Sequence, residues 1–305
     1  MRWTKRGLVY VPDGSRDWAR HHAFPPTPLV RDDEVLRLYV TFCDESTVGR
    51  IGWVDVLLDD PSEVVAVSRE PVLDIGSPGA FDDNGVLPTA IVPVGDELYL
   101  YYVGYQLGTH VRYFQFQGLA VSGDGGETFR RALRVPVLDR SDAEPLNRTS
   151  AFVTREDGRF RMWYVGGDDW IAVNGRPLPR YNMRYAESAD GVSWPSEGRV
   201  CLDFADDDEH AFGRPWVFRR DGLHAMIYSI RTRSKDYRLG FAVSPDGVEW
   251  ERRDHEVGID VSETGWDSEM IGYASVVEHG DRTYLFYNGN ERGRTGFGFA
   301  TLDAP

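Results

Sequence analysis

Five short runs rich in β-branched and aromatic residues punctuate the chain: LRLYVTF (36–42), LYLYYV (98–103), FRMWYV (160–165), HAMIY (224–228) and YLFY (284–287). Residues of this kind fit a half-buried pleated surface, so each run predicts a strand. Four of the runs follow a polar turn: Gly95-Asp96, Asp157-Gly158, Asp221-Gly222 or Gly280-Asp281. Equivalent positions are Val40, Tyr102, Tyr164, Tyr228 and Tyr287, separated by 62, 62, 64 and 59 residues, so five repeats account for the chain.

Each repeat keeps one internal order. An apolar run precedes the aromatic strand: PTPLV (26–30), PTAIV (88–92), SAFV (150–153), PWVF (215–218) or ASVV (274–277). A third strand follows a polar loop: IGWV (51–54), GLAV (118–121), MRYA (183–186), LGFAV (239–243) or GFGFA (296–300). In three repeats that strand runs into a Ser-x-Asp-Gly turn and then an aromatic residue, at 122–129, 188–194 and 244–250. The Asp-Gly pair makes a tight hairpin and the aromatic starts a fourth strand.

Four short strands at a fixed period, with almost no helical pattern, predict an all-β five-bladed β-propeller with four-stranded antiparallel blades. One domain is expected over 1–305, with blades near 20–75, 82–138, 144–203, 208–258 and 267–303 plus 6–12. The fifth repeat stops at Thr301-Leu302 without a fourth strand, whereas GLVYV (7–11) has no repeat of its own. The N-terminal strand is therefore expected to complete the last blade and remove its open edge.

Charge narrows the partners. Against 34 Lys and Arg stand 49 Asp and Glu, a net charge of −15 that repels nucleic acid and anionic membrane surfaces. Cys43 and Cys201 are the only cysteines, too few for a disulfide framework or a cysteine-based zinc site. The segment MRWTKRGLVYVPDG at the start has no apolar run of leader type, and no window of 18 apolar residues occurs, so a soluble, cytoplasmic protein is expected.

In a propeller, the loops leading into the first strands share one rim of the central channel with the loops joining second and third strands. The lead-in positions hold Arg20, His21 and His22; Asp82 and Asp83; Glu144; Asp208 and Glu209; and Asp267 and Glu269. Carboxylates from four repeats would then share an acidic pocket, where like charge separates pKa values into acid and base. The other loops bring Asp44, Glu45, Tyr105, His110, Asp168, Asp169, Trp170, Tyr181, Asn182, Arg231, Arg233, Lys235, Asn288, Asn290, Arg292 and Arg294. Aromatic faces beside Asn, Arg and Asp suit a sugar. The basic group of repeats four and five would either hold a phosphate or carboxylate of the ligand or pair with neighbouring acids. Arg148 and Arg214 near the inner strands should be partly buried and paired with a channel carboxylate. His21, His22 and His210 follow no familiar metal-ligand spacing, so neither metal nor cofactor is expected.

The carboxylates at lead-in positions and the turns SADGVSW (188–194) and SPDGVEW (244–250) resemble the five-bladed glycoside hydrolases, the group of arabinanases, β-xylosidases, invertases and levansucrases, and the mannoside phosphorylases. The C-terminal third, with GWDSEMI (265–271) and LFYNGN (285–290), looks like an uncharacterised glycosyl hydrolase-like subgroup. The resemblance implies a supporting Asp from the second blade, matched by Asp82 or Asp83, and a general-acid Glu from the third, matched by Glu144. Where it implies a first-blade carboxylate, this chain has Arg20, His21 and His22. Asp17 reaching back, His22 as base, or Glu209 and Glu269 from the later blades are the substitutes available.

The expected function is a carbohydrate-active, glycoside hydrolase-like enzyme cleaving a glycosidic or activated-sugar bond at the channel mouth. Glu144, Glu209 and Glu269 are the acid and base candidates, with Asp83 tuning them. His22, Asp82, Arg148, Asp169, Trp170, Arg214, Arg231, Asp267, Asn288 and Asn290 are candidate substrate contacts. The alternative is a repurposed propeller, either a non-catalytic sugar-binding module or a biosynthetic enzyme of another class.

Overall fold

The computed structural model describes residues 1–173 and 175–303. Almost all regular structure is strand, paired into four-stranded antiparallel units. The first unit is His21–Val30, Val35–Cys43, Gly49–Leu57 and Val64–Val67, and the second is Val86–Val94, Glu97–Leu107, Tyr113–Ser122 and Arg130–Arg131. The third is Asn147–Glu156, Arg159–Val173, Arg176–Ser188 and Arg199–Leu202, and the fourth is Glu209–Arg220, Leu223–Thr232, Arg238–Ser244 and Glu251–Arg252. The last is Gly272–His279, Arg282–Asn288 and Phe297–Leu302, completed by Trp3–Tyr10. Single parallel pairings, Arg148 with Phe116 and Tyr181 with Ala211, join the second, third and fourth units into one sheet. Each first strand packs against the first strands of both neighbours, the last unit's against the first's.

The N-terminal strand closes the last unit from Trp3 opposite Leu302 to Tyr10 opposite Phe297. It starts earlier than residue 6 because Trp3 is buried, its indole donating to the Val257 carbonyl (2.9 Å), and Lys5 reaches Asp267 (2.7 Å).

Successive strand residues face opposite ways, and the aromatic repeat uses both faces. One position docks onto the next unit: Tyr39 Oη donates to the Gly126 carbonyl (2.8 Å), Tyr101 Oη to that of Gly191 (2.7 Å) and Trp163 Nε1 to that of Gly247 (2.7 Å). Those acceptors lie in the three Ser-x-Asp-Gly turns. In the second of these, Ser188 Oγ accepts the Gly191 amide, and Asp190 accepts those of Val192 and Ser193. The last unit is closed by a separate chain end and has no such turn, and the matching position facing it is Ile227, which has nothing to donate.

The next residue along, Tyr102, Tyr164, Tyr228 or Tyr287, turns its hydroxyl toward its own unit. Tyr102 lies opposite Gly118 and Tyr228 opposite Gly240. A Cβ at either glycine would run into the tyrosine ring, so the missing side chain lets the ring cross the third strand.

Each first strand slips register once or more, at Thr89, at Ser150 and Ala151, at Arg214 and Pro215, at Tyr273 and Ala274, and in the first unit between His21 and Phe24 and again beyond Phe24. Four of these bulges hold a residue with positive φ: His22 (62°), Ser150 (55°), Arg214 (24°) and Tyr273 (55°). A bulge re-aims a side chain, here away from the regular ladder. No helix among the described residues is long and apolar enough to cross a membrane.

Candidate functional site

Four lead-in carboxylates are fastened within their own units. Asp82 accepts from Tyr102 Oη (2.9 Å) and Arg131 Nε (2.7 Å). Glu144 accepts from Tyr164 Oη (2.8 Å), Arg148 Nε (2.8 Å) and the Gly198 amide (2.6 Å), with Arg184 at 3.4 Å. Glu209 takes a bidentate pair from Arg252 (2.7 and 2.8 Å), which also holds Asp254, the acceptor of Tyr228 Oη at 2.6 Å. Asp267 accepts from Tyr287 Oη (3.0 Å) and Lys5 Nζ (2.7 Å). Asp82 and Glu144 are wholly buried, and Asp267 and Glu209 nearly so.

These groups therefore do not share an acidic cleft. Each is desolvated beside a cation that neutralises it, and Asp82, Glu144 and Asp267 also accept a phenol hydroxyl, the arrangement a buried charge requires. One signal of this was present in the sequence: Asp82 and Tyr102, Glu144 and Tyr164, and Asp267 and Tyr287 are each 20 residues apart.

The ends of the second and third strands, the region we call the mouth, gather aromatic and cationic side chains. Tyr105 and Tyr113 pack in a tilted pair at 5.2 Å between ring centroids, Trp170 meets Tyr113 edge-on at 6.2 Å, and Tyr237 and Tyr273 lie 5.2 Å apart. The Arg231 guanidinium sits 5.8 Å from the Tyr237 ring and shares its surroundings with Tyr181, Tyr113 and Tyr273. Arg292, at φ 58° in the 290–293 turn, joins from the last unit beside Tyr273, Tyr237 and Arg231. Burial pushes the phenols of Tyr105, Tyr113, Tyr181 and Tyr273 up, so all are protonated donors at neutral pH. Neither Arg231 nor Arg292 makes an ion pair among the described residues, although the two guanidinium groups raise each other's charge cost.

No protein-family model matches the chain. Over 303 residues it is 36% identical to the uncharacterized protein Rv1502 of Mycobacterium tuberculosis, covering 99% of this chain and all of that one. The chain belongs to the Rv1502 family. Among solved structures, the Rv1502-family chain is similar to a glycoside hydrolase (TM-score 0.75, 20% identity, 98% of this chain and 90% of that one). It is also similar to a thermostable family-43 glycoside hydrolase (0.71, 16%, 99% and 91%). A third is the β-1,2-mannobiose phosphorylase of Listeria innocua in complex with β-1,2-mannobiose (0.73, 11%, 99% and 97%). The fold is thus the propeller type of the glycoside hydrolases.

The remaining sequence candidates divide sharply in the Rv1502-family chain. Asn288 and Asn290 are internal clamps: Asn288 Nδ2 donates to the Ala23 and Gly296 carbonyls, and Asn290 Oδ1 accepts the Glu269 and Met270 amides. Arg148 pairs with Glu144 as expected. Arg214 does not meet a carboxylate; it crosses to the Pro26 and Tyr273 carbonyls (both 2.8 Å) and Thr27 Oγ1 (2.9 Å), lacing three units together, and burial lowers its pKa to about 9. Asp83 accepts the Gly79 amide, and Asp169 the Trp170 amide. Glu269 is exposed, its carboxylate without a partner among the described residues. Of the sequence candidates, Trp170 and Arg231 stand in the mouth, with the loop residues Tyr105, Tyr181 and Arg292. Tyr113, Tyr237 and Tyr273 were not singled out from sequence; for Tyr273 the trace was Gly272 preceding it, as Gly213 precedes Arg214.

Proposed function

We propose that the chain is a single-domain, five-bladed propeller and a carbohydrate-active protein that takes a sugar bearing an anionic group in its tyrosine- and arginine-lined mouth. The observation that carries this is the pair Arg231 and Arg292, two guanidinium groups set among tyrosines that make no ion pair among the described residues, with Asp236 the acid near Arg292, in a chain of net charge −15. Phenolic rings stack on C–H faces while their hydroxyls bond sugar hydroxyls, and two guanidinium forks match a phosphate or carboxylate. The glycoside hydrolase and mannobiose phosphorylase neighbours support the sugar class. Asp83 and Glu269 are the proposed proton-transfer groups, because Glu144 and Glu209 are held in buried ion pairs.

A second reading is favoured by one observation. Hydrolysis with either stereochemical outcome needs two carboxyl groups across the scissile bond. Four of the lead-in carboxylates are instead committed to arginine or lysine, three of them also to a tyrosine. That commitment fits a pocket that binds, or transforms by other chemistry, without hydrolysing.

Calorimetry with neutral monosaccharides, their phosphates and uronic acids, nucleotide sugars and aryl glycosides, followed by turnover assays on the binders, tests both readings. The anionic sugars should bind, and Arg231→Ala or Arg292→Ala should weaken them by roughly ten- to a hundredfold, as expected for a hydrogen bond to a charged group. Equal affinity for neutral and anionic sugars, or no sugar binding, overturns the proposal; binding without turnover selects the second reading.

A further inference from the structure

The first unit carries a cluster that neither the buried ion pairs nor the aromatic mouth uses. His21 and Cys43 are register partners on its first and second strands, and His22 follows on the bulge. The two imidazole Nδ1 atoms approach to 2.6 Å, and one donor atom from each of His21, His22 and Cys43 can be chosen so that all lie within 4.8 Å of one another. A tetrahedral site with metal–nitrogen and metal–sulfur bonds of usual length has edges of roughly 3.3–3.6 Å, so small side-chain rotations close the set.

Three features mark it as more than a chance meeting. His22 and Cys43 are buried, which shields the donors from water. His22 stands on the first-strand bulge at φ 62°, and its ring meets that of the preceding residue, where neighbours on a regular strand would face opposite sides. No carboxylate is bonded to either ring among the described residues, and the two rings contact each other instead. Asp44 and Glu45 lie near His21 and offset part of the charge of an incoming dication against Arg292 and Arg294.

We propose that His21, His22 and Cys43 bind one borderline-soft divalent transition-metal ion, zinc in the first instance, on the first unit beside the mouth. Two imidazoles and a thiol are the donors such an ion selects, and three protein ligands leave one position open. On binding, a metal–sulfur bond replaces the thiol S–H and the proton leaves to solvent. The spacing escapes sequence motifs because the donors come from two strands.

Cobalt(II) titration of the full chain tests this. One equivalent should bind, with tetrahedral d–d absorption and a thiolate-to-cobalt charge-transfer band, and zinc should displace it. Cys43→Ala should abolish the charge-transfer band. His22→Asn, which tolerates the left-handed backbone, should weaken binding more than roughly a hundredfold, beyond what losing an outer-shell partner does. No saturable binding, or binding whose spectrum lacks the thiolate band, overturns the proposal. So does binding unchanged in Cys43→Ala; if that variant fails to fold, unchanged binding in the half-exposed His21→Gln decides equally. None of these readouts depends on sugar binding.

Discussion

The first unit and the other four treat the same register of the repeat in opposite ways. In units two to five a carboxylate on or before the first strand meets a cationic side chain out of solvent, bonded directly to a second-strand tyrosine in units two, three and five and, in unit four, linked to Tyr228 through Arg252 and Asp254. In the first unit the tyrosine is Val40, and the space over Gly52 is filled by Trp18, Phe42 and Ser68. Its lead-in segment is anchored through Arg16 and Trp18, which donate to the Ser68 and Arg69 carbonyls. The carboxylate position is occupied by Arg20, His21 and His22. Repetition of acids at one register therefore marks a shared structural solution, and the unit that abandons it is the one where two imidazoles pair with each other instead of a carboxylate with a cation.

The largest test of this contrast removes an acid from a buried pair. Glu144 has no exposed surface and neutralises Arg148 and Arg184. Glu144→Ala strands both guanidinium groups, and urea unfolding should show about 3–5 kcal/mol of lost stability. If Glu144→Ala folds with near-normal stability, the carboxylate is not structural and its candidacy as a catalytic acid returns.

Tyrosine variants sharpen the same contrast at intermediate size. Tyr102→Phe and Tyr287→Phe each remove a hydroxyl donating to a buried carboxylate, and roughly 1.5–3 kcal/mol should be lost. Grafting the tyrosine into the first unit should also fail. Val40→Tyr drives a ring into the volume held by Trp18, Phe42 and Ser68, an overpacking of about 1–3 kcal/mol seen as a lowered Tm.

These effects also explain how much was legible in the sequence. Strand order, the Ser-x-Asp-Gly turns and the N-terminal closure were readable because alternation and turn chemistry are local properties of adjacent residues. Register also placed Asp82, Glu144, Glu209 and Asp267 before their first strands. It did not say which way they turn, since that depends on a phenol some 20 residues later and a cation on another strand. The mouth was half legible: loop residues Tyr105, Trp170, Tyr181, Arg231 and Arg292 were named, but Tyr273 reaches it through a bulge at φ 55° whose one trace in the sequence is the preceding Gly272.

Acid titration separates a histidine from the carboxylate beside it. His210 follows Glu209, is buried with both ring nitrogens unpartnered, and burial with the nearby Arg231 cation pushes its pKa down to about 4. The unfolded chain takes up this proton near pH 6.5 and the folded chain only near 4, so stability is intact above 6.5 and falls as pH drops through that window. The loss should be of order 1–3 kcal/mol, and His210→Phe should flatten that part of the stability-against-pH curve.

The smallest stability effect belongs to the carboxylate that no partner holds. Glu269 is exposed, and only its backbone is engaged, its amide by Asn290 and its carbonyl by Arg238. Glu269→Gln keeps the shape and the backbone bonds, so unfolding free energy should change by no more than about 0.5 kcal/mol. If this loop acid supplies the proton-transfer group, turnover of a sugar substrate should vanish while its affinity stays within a fewfold. Full activity in Glu269→Gln removes it from the chemistry and leaves the half-buried Asp83 and Asp208 as the lead-in carboxylates outside the buried pairs, so Asp83→Asn and Asp208→Asn then decide whether a lead-in acid still works on substrate.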